Sequence, residues 1–264
     1  MIINFMKMHG LGNDFVVIDG ISQKFNIVKS QIIKLANRNL GVGCDQVLII
    51  EPPQRPDANF YYRIFNQDGS EAMQCGNGAR CVAKYALDAG LARGKNIIAE
   101  CLSGLCEVEA LENDDFRVNL CDIPNITTSL NSAAFPELKS IYHVNVGNDH
   151  IICLVDSLKK LNLYRTSKRI IREYEHLNAN ISFMEINSTD AIKLTVFERG
   201  VGLTLACGSA ACASTFVAHQ LNLTNSTCHV KFKHGSLTIE LKPELKRIFM
   251  TGPARNVFFG QFKV

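Results

Sequence analysis

Charge of one sign, long apolar runs and metal-binding spacings are all scarce in this chain, and each scarcity excludes a class of function. The 264 residues carry 28 Lys and Arg against 25 Asp and Glu, a formal net charge of +3. So small an excess, with no basic run interleaved with aromatics, leaves no electrostatic footprint for nucleic acid. No apolar run approaches the roughly 20 residues a membrane span needs, and residues 1–7 lack the basic, apolar and cleavage-site order of a secretory leader. A soluble cytoplasmic protein with neither a nucleic-acid nor a membrane partner is expected. Cys75 and Cys81 are separated by five residues, and Cys207 and Cys212 by four. Neither is the spacing of a zinc knuckle and no histidines cluster nearby, so no metal is expected.

What is present is a core and a set of thiols. At 47% hydrophobic residues the chain can build one large domain or two of roughly 130 residues each. Its ten cysteines do not read as a disulfide scaffold, which belongs to short secreted chains that cannot fold without one. Cys44, Cys101, Cys106, Cys121, Cys153 and Cys228 lie in or beside apolar stretches and read as small core hydrophobes. Cys75 and Cys207 are different. Each opens a run of small residues into a helix, Cys75-Gly76-Asn77-Gly78-Ala79 in one half and Cys207-Gly208-Ser209-Ala210-Ala211 in the other. Unpaired N–H groups and the positive end of the helix dipole favour a thiolate at such a position.

Other landmarks recur with the cysteines at an interval of roughly 130 residues. Gly12-Asn13-Asp14 before one apolar run returns as Gly147-Asn148-Asp149 before another, and Ser103-Gly104-Leu105 is echoed by Gly235-Ser236-Leu237. β-branched and aromatic runs predict strands at 15–18, 46–50 and 59–65. Helical patterns occupy 30–39, 77–88, 209–220 and the neighbourhood of 167–176. The helix at 77–88 shows little charge and is expected to be buried. A Ser/Thr/Asn-rich stretch at 123–131, opened by Pro124, reads as a linker. The expected architecture is α+β, with two pseudo-symmetric lobes from an internal duplication, each a mixed or antiparallel sheet wrapped around a central helix, and the active site between them. Residues 1–122 with a returning tail at 253–264 form the first lobe, and residues 123–252 the second.

Three blocks carry a resemblance to the diaminopimelate epimerase family: Met8-His9-Gly10-Leu11-Gly12-Asn13-Asp14-Phe15, residues 66–81 around Cys75, and Phe197-Glu198-Arg199-Gly200-Val201-Gly202 leading to Ala206-Cys207-Gly208. They span most of the chain in the family's order and spacing. The resemblance implies a homodimeric amino-acid epimerase without a cofactor, converting LL-2,6-diaminopimelate to the meso form on the route to lysine and peptidoglycan precursors. It implies that Asn13, Gln46, Asn66, Asn148, Asn180, Glu198 and Arg199 surround the substrate, and that His150 and Glu198 stand near the catalytic thiols. Three positions depart from the family pattern: Asp149 where proline is usual, Leu203 where glutamate is common, and Ala210 where glycine is frequent.

The chemistry accounts for the pair of thiols. Inverting an α-carbon requires a base on one face and an acid on the other. One thiolate and one thiol satisfy this and exchange roles in the reverse direction, so Cys75 and Cys207 are the expected catalytic pair. Without pyridoxal phosphate as an electron sink, the carbanion leans on its own carboxylate and on surrounding dipoles. Backbone N–H groups at Gly76-Asn77 and Gly208-Ser209 are expected to hold that carboxylate, Arg199 to fork onto a distal carboxylate, and Glu198 to offset a distal ammonium. Two other readings stay open: a racemase of another amino acid, such as proline or histidine, and a thiol redox or anion-binding protein without catalysis. The distal polar set is unexplained by the last.

Overall fold

Apolar runs without alternation become strands buried on both faces. In a computed structural model, which describes residues 1–124 and 127–263, strands β1 (Ile2–Gly10) and β2 (Asn13–Asp19) form an antiparallel hairpin. Helix α1 (Lys29–Ala36) then carries the chain to β3 (Gln46–Glu51), parallel to β2. Phe15, Val17, Leu48 and Ile50 from this strand pair enter one buried cluster. Val16, Ile18, Val47 and Ile49 enter another, with Ile32, Leu35 and Ala36 of α1. Successive side chains point to opposite faces, so a parallel pair covered on both sides must be apolar at every position. Helix α1 stops short of the expected residue 39. Asn37 is extended and its Oδ1 accepts from the backbone N–H groups of Asn39 and Leu40, which competes with another helical turn.

Strand β4 (Phe60–Asn66) pairs antiparallel with β3, and α2 (Gly76–Asp88) crosses over to β5 (Asn96–Cys101), parallel to β4. Strands β6 (Gly104–Ala110) and β7 (Asp115–Asp122) follow in antiparallel order. Helix α2 touches β1, β2, β3, β5 and β6, so its small residues Ala79, Ala83 and Ala86 are surrounded by strands. Helix α2 is buried as expected, although it carries two basic residues, Arg80 and Lys84, that are themselves buried. Lys84 pairs with Asp114 at 3.0 Å and Asp88 at 3.2 Å, and the Arg80 Nε donates to the Pro253 carbonyl at 3.3 Å. Buried charge persists where it is paired. Ala83 is fully buried in the core cluster. Ala83→Val is expected to cost about 1–3 kcal/mol by overpacking, read from urea unfolding.

The second half begins with β8 (Thr128–Leu130), inside the stretch expected to be a linker. It pairs with β9 (Ser140–Asn145), and Leu130 packs on the cluster of Phe135 and Ile141. Polar Ser/Thr composition had the look of a loop, but a short strand needs only backbone pairing and one apolar anchor. Asn125 and Ile126 of the expected linker lie outside the described residues. Strand β10 (Asp149–Val155) is antiparallel to β9, and α3 (Leu163–Glu173) leads to β11 (Asn180–Ser188), parallel to β10. Helix α3 starts earlier than expected because the Asn162 side chain caps it, accepting from the Arg165 N–H at 3.1 Å. Strands β12 (Ala191–Glu198) and β13 (Gly202–Thr204) follow, then α4 (Gly208–Gln220) and β14 (Thr227–Phe232), parallel to β12. Strands β15 (Gly235–Lys242) and β16 (Arg247–Pro253) come next, and β17 (Arg255–Lys263) pairs with β1.

The chain divides into two compact units, residues 1–119 with 251–264, and residues 120–250. Within each, successive pairings read antiparallel, parallel, antiparallel, parallel, antiparallel, with a helix in both parallel crossovers. Helix α4 is the counterpart of α2, touching β9, β10, β11, β12, β14 and β15. The α+β class expected from the sequence is the class observed. Cys44, Cys101, Cys106, Cys153 and Cys228 are buried as expected, whereas Cys121 is only half-buried. Burial pushes the Cys44, Cys81 and Cys106 thiols up to about 12, which makes them inert at neutral pH. Among the described residues no helix is long and apolar enough to cross a membrane.

Candidate active site

In the first unit the site is built on the start of α2. Cys75 is the N-cap residue, with extended backbone, and its Sγ accepts from the Gly78 N–H at 3.3 Å. A Cβ on Gly78 would stand 3.3 Å from both the Cys75 Cβ and Leu48, so glycine keeps this turn tight. The buried Asn77 side chain donates through Nδ2 to Asn13 Oδ1 at 2.9 Å, while its own Oδ1 accepts from Arg80 Nη2 at 2.9 Å. Asn13 in turn donates to Asp45 Oδ2 at 2.8 Å. Gln46 and Asn66 face each other across β3 and β4, and Gln46 Nε2 donates to Asn66 Oδ1 at 3.0 Å. The expected substrate residues of this unit are therefore gathered as two amide pairs.

An ionic cluster supports the first of them. Asp14 lies 2.6 Å from Lys7 Nζ and 2.7 Å from Arg38 Nη2, and Arg38 also reaches Asp45 at 2.8 Å. Burial alone would raise the Asp14 carboxyl, but hydrogen bonds from Arg38 and Lys7 outweigh it and hold the group down at about 2.

In the second unit three expected residues, Cys207, His150 and Asn148, converge on the hydroxyl of a fourth, Ser209. Cys207 is the N-cap of α4, nearly buried, with its Sγ 3.5 Å from Ser209 Oγ. That oxygen is 3.0 Å from His150 Nε2 and 3.4 Å from Asn148 Nδ2, and Asn148 Oδ1 is 3.2 Å from the same His150 nitrogen. The Asn148 carbonyl beside Nε2 favours the Nε2–H tautomer. Sequence reasoning expected only the Ser209 backbone to act, so its side chain is an addition. A hydroxyl two residues after an N-cap cysteine was the available signal.

His150 sits on β10 with no exposure, and burial drives its pKa down to about 3, so it is neutral at pH 7. An unfolded chain protonates this ring near 6.5, so between pH 6.5 and 3 the unfolded state binds the extra proton. Stability therefore falls as pH falls through that window, with a contribution of up to about 1.4 kcal/mol per pH unit. His150→Gln is expected to flatten this acid limb in urea unfolding between pH 4 and 7.

Asn180 opens β11 directly opposite His150. Its Oδ1 accepts from the Arg199 backbone N–H at 3.0 Å, and Arg199 Nη1 donates to the Asn178 carbonyl at 3.0 Å. Glu198 ends β12 beside Arg199. Of the three departures, Asp149 has a clear structural part. Its Oδ1 bonds His143 Nε2 at 2.8 Å and Asn145 Nδ2 at 3.0 Å, cross-linking β9 to β10 where a proline would stiffen the turn. Burial pushes the Asp149 carboxyl up, but the Asn145 and His143 hydrogen bonds prevail and hold it below the ordinary value. Ala210 is buried in the first turn of α4, and Leu203 is half exposed on β13.

Two solved structures share this fold over nearly their whole length. The PhzF-family phenazine biosynthesis protein of Bacillus anthracis matches with a TM-score of 0.77 at 16% identity, covering all of both chains. A hydroxyproline epimerase from Agrobacterium vitis, with bound trans-4-OH-L-proline, matches with a TM-score of 0.70 at 13% identity, covering 98% of this chain and 92% of that one. The fold is thus that of the PhzF-family and hydroxyproline epimerase structures. Sequence similarity narrows the class. A diaminopimelate epimerase from Teredinibacter turnerae is 42% identical over the whole of both chains, and the family model for diaminopimelate epimerase matches residues 5–122 and 142–257. The chain belongs to the diaminopimelate epimerase family.

Proposed function

We propose that this chain epimerises LL-2,6-diaminopimelate to meso-diaminopimelate by proton transfer between two thiols, Cys75 and Cys207. The observation that carries the reading is the N-cap of each central helix, a cysteine followed by glycine in both units. One thiolate takes the α-proton and leaves the electron pair on carbon. The other thiol delivers its proton to the opposite face, so thiol and thiolate have exchanged places and the substrate has neither gained nor lost a proton. The carbanion is stabilised by its own carboxylate, held by backbone N–H groups at Gly76-Asn77 and Gly208-Ser209.

His150 fits a role through Ser209. When His150 Nε2–H and Asn148 Nδ2–H both point at Ser209 Oγ, the hydroxyl proton is left for Cys207 Sγ, where it favours the thiolate. Glu198, the last residue of β12, serves as a counter-charge for an ammonium in this reading. Asn13, Gln46, Asn66, Asn148, Asn180 and Arg199 make up the polar set that a second ammonium and carboxylate require. In this reading the enzyme is cytoplasmic and homodimeric, serving lysine and peptidoglycan precursor synthesis. Sedimentation velocity at two concentrations checks the dimer.

The reaction itself is tested by incubating LL-diaminopimelate in D₂O with the reduced protein, free of pyridoxal phosphate, beside proline and histidine. Deuterium entering one α-position as the meso isomer forms is the expected result. Exchange in proline or histidine alone would reassign the substrate. No exchange in any of them would overturn the reading.

A further inference from the structure

Four side chains form one directed chain of hydrogen bonds in the first unit. Arg80 Nη2 donates to Asn77 Oδ1 at 2.9 Å, Asn77 Nδ2 donates to Asn13 Oδ1 at 2.9 Å, and Asn13 Nδ2 donates to Asp45 Oδ2 at 2.8 Å. We infer that Arg80 and Asp45 are positioning residues that set the polarity of the Asn77 and Asn13 amides and so decide which atom Asn13 offers to substrate. The inference rests on Asn13 being a substrate-binding residue.

Donor and acceptor capacities fix the direction of both amides. An amide between two neutral partners can be turned end for end, because its oxygen accepts and its nitrogen donates from nearly the same positions. A guanidinium only donates, so Asn77 must turn its oxygen to Arg80 and its nitrogen to Asn13. A carboxylate only accepts, so Asn13 must turn its nitrogen to Asp45 and its oxygen to Asn77. The two ends agree, and neither amide can reverse without setting like atoms against each other. Of the two N–H bonds on Asn13 Nδ2 one goes to Asp45, which leaves the second as a donor for a substrate carboxylate. The reversed amide would present a carbonyl to that carboxylate and repel it.

Both ends are themselves held. Asp45 Oδ1 accepts from Arg38 Nη2 at 2.8 Å, and its Oδ2 also accepts from the Asp14 backbone N–H at 3.0 Å. Arg80 is fully buried, bonded to the Pro253 carbonyl. Gly10 makes room for it, since a Cβ there would stand 2.9 Å from Arg80 Nη2. An arginine enclosed to this degree on a helix that could have been packed with alanine calls for a reason beyond packing, and amide polarity supplies one.

The test uses the full-length reduced protein. Asp45→Asn keeps the size of the side chain but can present either atom to Asn13, so reversal becomes allowed. Its KM for LL-diaminopimelate is expected to rise about tenfold while kcat stays within about threefold. Arg80→Lys, still a pure donor, is expected to lie nearer wild type than Arg80→Gln, whose amide can both donate and accept. Side-chain amide ¹⁵N–¹H resonances of Asn13 and Asn77 give a second readout that needs no substrate: Asp45→Asn should shift them or split them into two sets. Unchanged KM with unmoved resonances would overturn the inference, and so would equal behaviour of the folded Lys and Gln variants. If the Arg80 variants fail to fold, the half-exposed Asp45 end still decides. If wild type does not turn over diaminopimelate, the proposed function fails while the amide spectra still judge the polarity.

Discussion

Cys75→Ser and Cys207→Ser are each expected to lower kcat for LL-diaminopimelate by about 10²–10⁴-fold with unfolding midpoints close to wild type. The size follows from the loss of one proton-transfer group, since a hydroxyl gives up its proton far less readily than a thiol. The fold is spared for a local reason. Cys75 Sγ accepts the Gly78 N–H as an N-cap, and serine is a better N-cap residue than cysteine. The two thiols are further expected to differ in sensitivity to their surroundings. Ser209→Ala removes the hydroxyl 3.5 Å from Cys207 Sγ and leaves Cys75 with its backbone partner. Single-turnover proton exchange in D₂O, run on both serine variants, distinguishes loss of chemistry from loss of binding. More than a tenth of wild-type turnover in either variant would remove that thiol from the mechanism.

Arg199→Met is expected to raise KM for diaminopimelate about 100-fold, about 3 kcal/mol, the scale of two charge-assisted hydrogen bonds to a carboxylate. Helix and sheet lose little, because it is the Arg199 backbone N–H, retained in the variant, that bonds Asn180. The side chain gives up its hydrogen bond to the Asn178 carbonyl. Arg199→Lys should recover part of the loss, having charge without the fork. Lysine, which lacks the distal carboxylate, serves as the control ligand. Its binding should be equally weak in wild type and variant. A KM for diaminopimelate unchanged in Arg199→Met would show that this guanidinium does not hold the distal end.

Much of the fold was legible because it rests on local rules. Runs such as 15–18 and 46–50 named strands by β-branched content. The positions of Cys75 and Cys207 at helix N-termini could be read from the small residues that follow them. Boundaries failed where a side chain competed with the backbone, as at Asn37 and Asn162, and where polar residues formed a short strand, as at 128–130. The burial of Arg80 and Lys84 was missed because two of their partners, the Pro253 carbonyl and Asp114, are brought to them by tertiary packing.

By itself the sequence determined the α+β class, the presence of two cysteine-headed helices and the family resemblance, since periodicity, capping and motif spacing act over a few residues. Only the tertiary structure decided which groups meet. His150 reaches Ser209 across 59 positions of chain, and Asn13 reaches Asn77 across 64. The neutrality of His150, the depressed carboxyl of Asp14 and the direction of the Asn13 amide all arise from burial and from partners that loop closure brings together. A residue's identity sets what it can donate or accept. Its partner, and the loss of water around it, set which of those capacities the site uses.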